Sequence, residues 1–148
     1  MKVVFHADDF GLTPAINDGI LEACERGVLR STSLMVTGEA AEQGIAAAER
    51  SDLVPFRTLG FLHAGGGLAL PDLLDALDRM SRRSTGVVEV MLHPGRRDAD
   101  TERRYGHWRY RWENDLALLL DPRLPDALVQ RGIEWTSFRA LATAEQRP

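Results

Sequence analysis

The sequence predicts an α/β fold: a parallel sheet with helices on both faces. Short apolar runs alternate along the chain with segments of helical spacing, which is the pattern of strands joined by crossover helices. The runs are apolar throughout rather than at every second residue, as strands covered on both faces are. Glycine and polar clusters recur at the ends of the runs, where a parallel strand turns into its helix. The 148 residues suit a single domain, expected over residues 1–142 with 143–148 as a tail.

Residues 2–7 form the first strand, stopped by His6-Ala7-Asp8-Asp9, after which Gly11 permits a turn. Thr13 is a good N-cap and Pro14 suits the first helical position, while Ile16, Ile20, Leu21 and Cys24 keep helical spacing until Gly27. Residues 28–36 contain the strand-like Ser33-Leu34-Met35-Val36, and the alanine-rich stretch 39–50 supplies the following helix. A third strand is expected over 58–63, before Gly65-Gly66-Gly67. Pro71 then opens a helix with Leu73, Leu74, Leu77 and Met80 on one side. The strongest strand signal is 87–92, ending at His93-Pro94-Gly95. Helices over 111–120 and 125–130 precede a last strand over 133–138. The arginine-rich stretch 96–104 is expected to be a mobile loop. Five strands are too few for a closed eight-stranded barrel.

Hydrophobic residues make up 44% of the chain and charged residues 27%, as in a folded globule. A net charge of −4 gives no general attraction to phosphate backbones or anionic lipid, so nucleic acid and membrane surfaces are poor partners. The single cysteine, Cys24, cannot form an intramolecular disulfide and sits among apolar helical positions, which favours a buried thiol in a reducing compartment. Met1 runs straight into a strand, with neither a leader nor an 18-residue apolar stretch, so a cytoplasmic location without membrane insertion is expected.

Functional groups in parallel α/β sheets collect at the carboxyl ends of strands, where the loops face one crevice. The first strand ends with His6, Asp8 and Asp9, the third with His63 and the fourth with His93. Together they offer one carboxylate and two imidazoles to a divalent ion, with positions left open for water and a substrate oxygen. The remaining aspartate is then available as a base. Plainer roles stand beside these: adjacent acids after a strand are often a turn or capping device, and a lone histidine near glycines is more often solvated. His93 is the stronger signal, because it ends an apolar strand where no polar group is otherwise wanted. Trp108, Tyr110 and Trp112 read as packing of a helix start rather than as a sugar-stacking platform, and His107 reads as surface. Gly65-Gly66-Gly67 lacks the Lys-Ser/Thr of a phosphate-binding loop.

The opening His6-Ala-Asp-Asp-Phe-Gly-Leu-Thr-Pro-Ala-Ile-Asn-Asp-Gly-Ile, followed by Gly27-Val-Leu-Arg-Ser-Thr-Ser-Leu-Met-Val, resembles the amino-terminal signature of YdjC-like carbohydrate deacetylases. Val88-Glu-Val-Met-Leu-His-Pro-Gly, Arg111-Trp-Glu-Asn-Asp-Leu, Asp121-Pro and Gly132-Ile-Glu-Trp-Thr-Ser-Phe are similar to the end of the same family, including its hopanoid-biosynthesis branch. The resemblance implies a TIM-like (β/α) barrel, here shortened to about five strands. It also implies one divalent ion, magnesium or zinc, and hydrolysis of N-acetyl groups on sugars or chitooligosaccharides. Carried over by position, Asp8 is the general base, Asp9 a metal ligand, His93 an active-site histidine and Arg111 a substrate contact.

The chain departs from the family in two ways. His6 stands where the family has asparagine, and a central block carrying two histidine-bearing segments is missing. Gly60-Phe-Leu-His-Ala reads either as a copy of the first of those segments, which makes His63 a metal ligand, or as a later family segment, which leaves it without a role. His6 is a further candidate for the vacant ligand position. Two functions follow: a metal-dependent deacetylase, or a catalytically silent remnant that binds a sugar or a partner subunit. A metal-dependent phosphoesterase would use similar ligands but finds no matching signature. Strand edges left by the missing block predict a homo-oligomer.

Overall fold

The computed structural model describes residues 1–48, 50, 54–55, 68–82 and 87–145. At its centre lies β1 (Lys2–Phe10), which hydrogen-bonds in parallel to three other strands. On one side β4 (Val87–Leu92) runs along Lys2 to Ala7. A strand has only two edges, so the other edge of β1 is divided: β5 (Glu134–Thr136) takes Lys2 to Val4 and β2 (Ser31–Leu34) takes His6 to Phe10. β3 (Val54–Pro55) extends the sheet beyond β2. The third strand expected over 58–63 lies outside the described residues.

The expectation of an α/β architecture with a parallel sheet holds, but the barrel does not. The sheet is open, in the order β3-β2-β1-β4 with β5 beside β1. Closing a barrel requires enough tilted strands to bring the first and last together, and the five strands among the described residues do not complete the turn.

Successive side chains of β1 point to opposite faces, and the two faces differ in chemistry. Val3, Phe5 and Ala7 join Val88, Val90 and Leu92 of β4 in one buried apolar cluster. Onto that face pack α1 (Pro14–Arg26) with Ile16, Ile20 and Ala23, and α3 (Leu70–Ser81) with Leu73 and Leu77. α5 (Trp112–Leu119) adds Trp112 and Leu119, and α6 (Arg123–Gln130) adds Leu124 and Leu128. Each fully buried Leu or Ile of this kind contributes on the order of 2 kcal/mol. The opposite face presents a hydrogen-bonded polar set comprising His6 with Ser31 and Ser33 of β2, and Glu89 beside it. Phe138, the first residue of α7 (Phe138–Glu145), meets His6 edge-on with ring centroids 6.0 Å apart.

α1 follows the sequence closely. The Thr13 hydroxyl accepts from the Ile16 N–H at 3.3 Å, Pro14 occupies the first turn, and Gly27 is the C-cap. Within α1, Gly19 lets the helix backbone touch the loop after β4: a Cβ there would lie 2.5 Å from the Gly95 Cα.

The stretch expected to be a mobile loop is instead helical. Asp98 caps α4 (Ala99–Tyr105), its Oδ1 accepting from the Thr101 N–H at 2.7 Å, and a 3-10 turn (Gly106–Trp108) follows. The Thr101 and Thr13 hydroxyls share a buried hydrogen bond of 2.9 Å, and Arg104 pairs with Glu39 at 2.8 Å. The density of arginines obscured the cap and the acidic first turn that make this segment a helix. α2 (Ala41–Ala48) is shorter than the expected 39–50. The last strand also ends early, because the Ser137 hydroxyl accepts from the Ala140 N–H at 3.2 Å and starts α7.

Candidate active site

Polar groups converge where β1 and β4 end. The ladder between β1 and β2 breaks register between Ala7 and Phe10, and inside that break Asp9 adopts a left-handed backbone with φ of 73°. A non-glycine residue in this region costs roughly 1–2 kcal/mol, and an irregularity of this kind re-aims side chains at a strand end. Asp9 is left buried, with its Oδ2 lacking a hydrogen-bond partner among the described residues. The Asp8 side chain stays 31% exposed.

The two neighbouring acids titrate in opposite directions. Burial raises the Asp9 carboxyl to about 6, with repulsion from Asp8 adding to the rise and an interaction with the Trp112 indole opposing it. For Asp8, burial also pushes upward. The nearby His6 ring, the charges of His6 and His93 and the Ser33 hydroxyl outweigh it, so the carboxyl titrates below its usual range. One acid is therefore ionised at neutral pH with margin, and the other sits close to its change of state.

His6 lies wholly buried behind Asp8. Its Nδ1 is 3.0 Å from the Ser31 hydroxyl and its Nε2 is 2.8 Å from the Ser33 hydroxyl. Asp8 Oδ1 lies 3.7 Å from Nε2, and Glu89 Oε1 lies 3.9 Å from Nδ1. Burial raises the Glu89 carboxyl, countered by the charge of His6 and reinforced by that of Asp8. A ring with both nitrogens engaged and no exposed surface has no lone pair to offer, so His6 is not the substitute metal ligand the sequence allowed.

His93 is buried at the end of β4. Its backbone N–H donates to Asp115 Oδ2 at 2.9 Å, and its ring stacks on Tyr110. Asp115, itself only 1% exposed, holds this turn from α5. Asn17 performs the same task after β1. Its Oδ1 accepts from the Gly11 N–H at 2.6 Å, while its Nδ2 donates to the Ala40 carbonyl at 3.0 Å and to Gln43 Oε1 at 3.1 Å. Sequence reading missed both residues. The available signal was a polar side chain at a position that helical spacing assigns to the buried stripe.

Asp8, Asp9 and His93 are thus brought together, with His93 close enough to act electrostatically on Asp8. Arg111 is exposed in the turn between Tyr110, stacked on His93, and Trp112, which acts on Asp9. Trp112 is buried as the packing role predicts, Trp108 and His107 are exposed, and Cys24 is buried. His63 lies outside the described residues. The unpartnered Oδ2 of Asp9 suits a cation ligand. Among the described residues, however, no group of three or more His, Cys, Asp or Glu side chains is placed to hold a metal ion.

The fold and these groups define a parallel α/β protein with an acidic pair and a histidine gathered at the carboxyl ends of adjacent strands. Residues 2–63 match the model of the YdjC-like protein family. Relatives named carbohydrate deacetylase include one from Vibrio parahaemolyticus, 45% identical over 51 residues, which are 34% of this chain and 20% of the relative. Another, from Listeria innocua, is named carbohydrate deacetylase 2 and is 49% identical over 51 residues, covering 34% of this chain and 21% of its own. A third, from Vibrio vulnificus, is 64% identical over 36 residues, covering 24% and 14% respectively. The match therefore spans about a fifth of the length of these relatives. A crystal structure from Enterococcus faecalis V583, of a protein provisionally named for cellobiose-phosphate cleavage, superposes with a TM-score of 0.76 at 17% identity. That superposition covers 95% of this chain and 98% of the other, and it supports the fold alone.

Proposed function

We propose that this chain is a carbohydrate deacetylase that hydrolyses the acetamido group of N-acetylated sugars or chitooligosaccharides. The observation that carries this reading is the meeting of Asp8 and Asp9 with His93 at one end of the sheet, with both acids inside the YdjC-like segment. Asp8 acts as general base: its carboxyl is held ionised and its partial exposure admits water. It takes a proton from the water whose oxygen adds to the acetyl carbonyl carbon. His93 gives a proton to the amine as the C–N bond breaks, leaving a free amino sugar and acetate.

Asp9 and His63 would hold one divalent ion, magnesium or zinc. Such an ion supplies polarisation of the amide carbonyl when bound. Arg111, exposed beside the aromatic turn, contacts the sugar. Cytoplasmic location and a homo-oligomer complete the reading. No helix among the described residues is long and apolar enough to cross a membrane. Light scattering at micromolar concentration tests the assembly, a stable monomer being the adverse result.

Metal analysis paired with acetate release from N-acetylglucosamine oligomers tests the function. A stoichiometric ion with acetate released supports the enzyme. The absence of both ion and acetate would select the second reading, a catalytically silent remnant that binds a sugar or a partner subunit.

A further inference from the structure

We propose that His6 is the positioning residue of this site, a clamped imidazole that fixes the orientation of Asp8 from behind. The inference rests on the reading of Asp8 as the base of a deacetylase. His6 faces four elements at once: Asp8 further along β1, Ser31 and Ser33 on β2, Glu89 on β4 and Phe138 on α7. The two serine hydroxyls engage opposite nitrogens of the ring and remove its freedom to rotate. The two carboxylates flank those same nitrogens, Asp8 at 3.7 Å from Nε2 and Glu89 at 3.9 Å from Nδ1.

A histidine kept only for packing has no use for this arrangement, since an apolar side chain would fill the same space without burying Glu89 beside it. The arrangement does serve Asp8. The acid projects from an irregular strand end, where the backbone alone orients it poorly, and a locked neighbour restricts its rotamers. His6 is wholly buried and makes its contacts behind the acid, so it acts through Asp8 and does not meet substrate.

The test uses the full chain with His6→Gln and Ser31→Ala variants, assayed on N-acetylglucosamine oligomers, together with nitrogen-15 NMR of the His6 ring. Misplacing a reacting group can cost up to about 10²-fold, so His6→Gln is expected to lower kcat by roughly 10- to 100-fold while KM stays within roughly twofold. Ser31→Ala, which frees one side of the ring and leaves the Ser33 hydroxyl beside Asp8, is expected to lower kcat less and again to spare KM. Asp8→Asn should shift the Nε2 resonance of His6, whereas Arg111→Ala should not.

Unchanged kcat in both His6→Gln and Ser31→Ala overturns the proposal, as does a rise in KM alone. Should His6→Gln fail to fold, Ser31→Ala decides. A wild-type chain that releases no acetate defeats the deacetylase reading, and the NMR arm then judges the positioning claim by itself. A His6 ring indifferent to Asp8→Asn overturns it.

Discussion

The imidazole of His93 lies nearly flat on the phenol ring of Tyr110, with centroids 4.0 Å apart and planes 26° from parallel. Stacked pairs of this kind contribute about 0.5–1.5 kcal/mol beyond the area they bury. Tyr110→Phe keeps the stack and should leave the melting temperature and activity near wild type. Tyr110→Ala should destabilise the chain by roughly 1–3 kcal/mol in denaturant melts and lower turnover by loosening His93. His93→Ala should also destabilise the metal-free chain, because its ring is a buried packing element as well as a candidate acid. Equal effects of Tyr110→Phe and Tyr110→Ala would point to the hydroxyl instead of the stack.

Asp9 should give the metal-free protein a distinct pH dependence. Its carboxyl is raised from 3.8 to about 6, so the folded state binds its proton more tightly than the unfolded chain does. The associated stability is fully present below pH 3.8 and is lost as pH rises through about 6. A rise of that size corresponds to at most about 3 kcal/mol. Asp9→Asn removes the titration and tolerates the left-handed backbone, so its stability should stay flat where the wild type declines. Parallel curves from pH 4 to 7 in chelator would contradict this.

The two acids should separate by assay. Asp9→Ala is expected to abolish ion binding, whereas Asp8→Asn should retain the ion and lose activity by on the order of 10²–10⁴-fold, the usual contribution of a general base. Atomic emission on dialysed protein, read beside acetate release, distinguishes them. Equal metal loss in both variants would reject the division of labour.

Gly19→Ala should be among the most damaging single-methyl additions in the chain. The new Cβ would lie 2.5 Å from the Gly95 Cα, and the obstacle is backbone with no side chain to swing aside. Overpacking of this sort costs about 1–3 kcal/mol, and relief must come from moving α1 away from the turn that carries His93. Gly132→Ala serves as a comparison, since only its backbone angle, φ of 64°, opposes a side chain and no neighbour lies within 4 Å. Activity lost in Gly19→Ala but not in Gly132→Ala would tie the effect to His93.

The elements legible in the sequence are those set by neighbours in the chain. Thr13, Pro14 and Gly27 bound α1 through local caps, and the run of β-branched and apolar residues at 87–92 coincides with β4. Asp8, Asp9 and His93 were visible because a parallel sheet brings its strand ends together wherever the helices fall. The rest depends on partners far apart in sequence. Ser31, Ser33 and Glu89 acquire meaning only when β1 lies between β2 and β4, and Asp115 only when α5 folds over His93. The strand count pointed away from closure, whereas the resemblance implied a barrel, because a family resemblance carries strand identity more faithfully than it carries closure. α4 was misread because arginine density was given more weight than one capping aspartate.

The division of one β1 edge between β5 and β2 bears on how the molecule is assembled in time. β1 is made before all three of its partners, and two of them, β4 and β5, begin only at Val87 and Glu134. Until they arrive, one whole side of an apolar strand and half of the other have nothing to pair with. Pairings between such distant segments form slowly, and unsatisfied strand edges attract other chains in the interval. The nascent protein therefore passes through a window of vulnerability that closes only when β5 docks, so its yield in a cell should depend on translation speed and chaperone supply as much as on the stability of the finished fold.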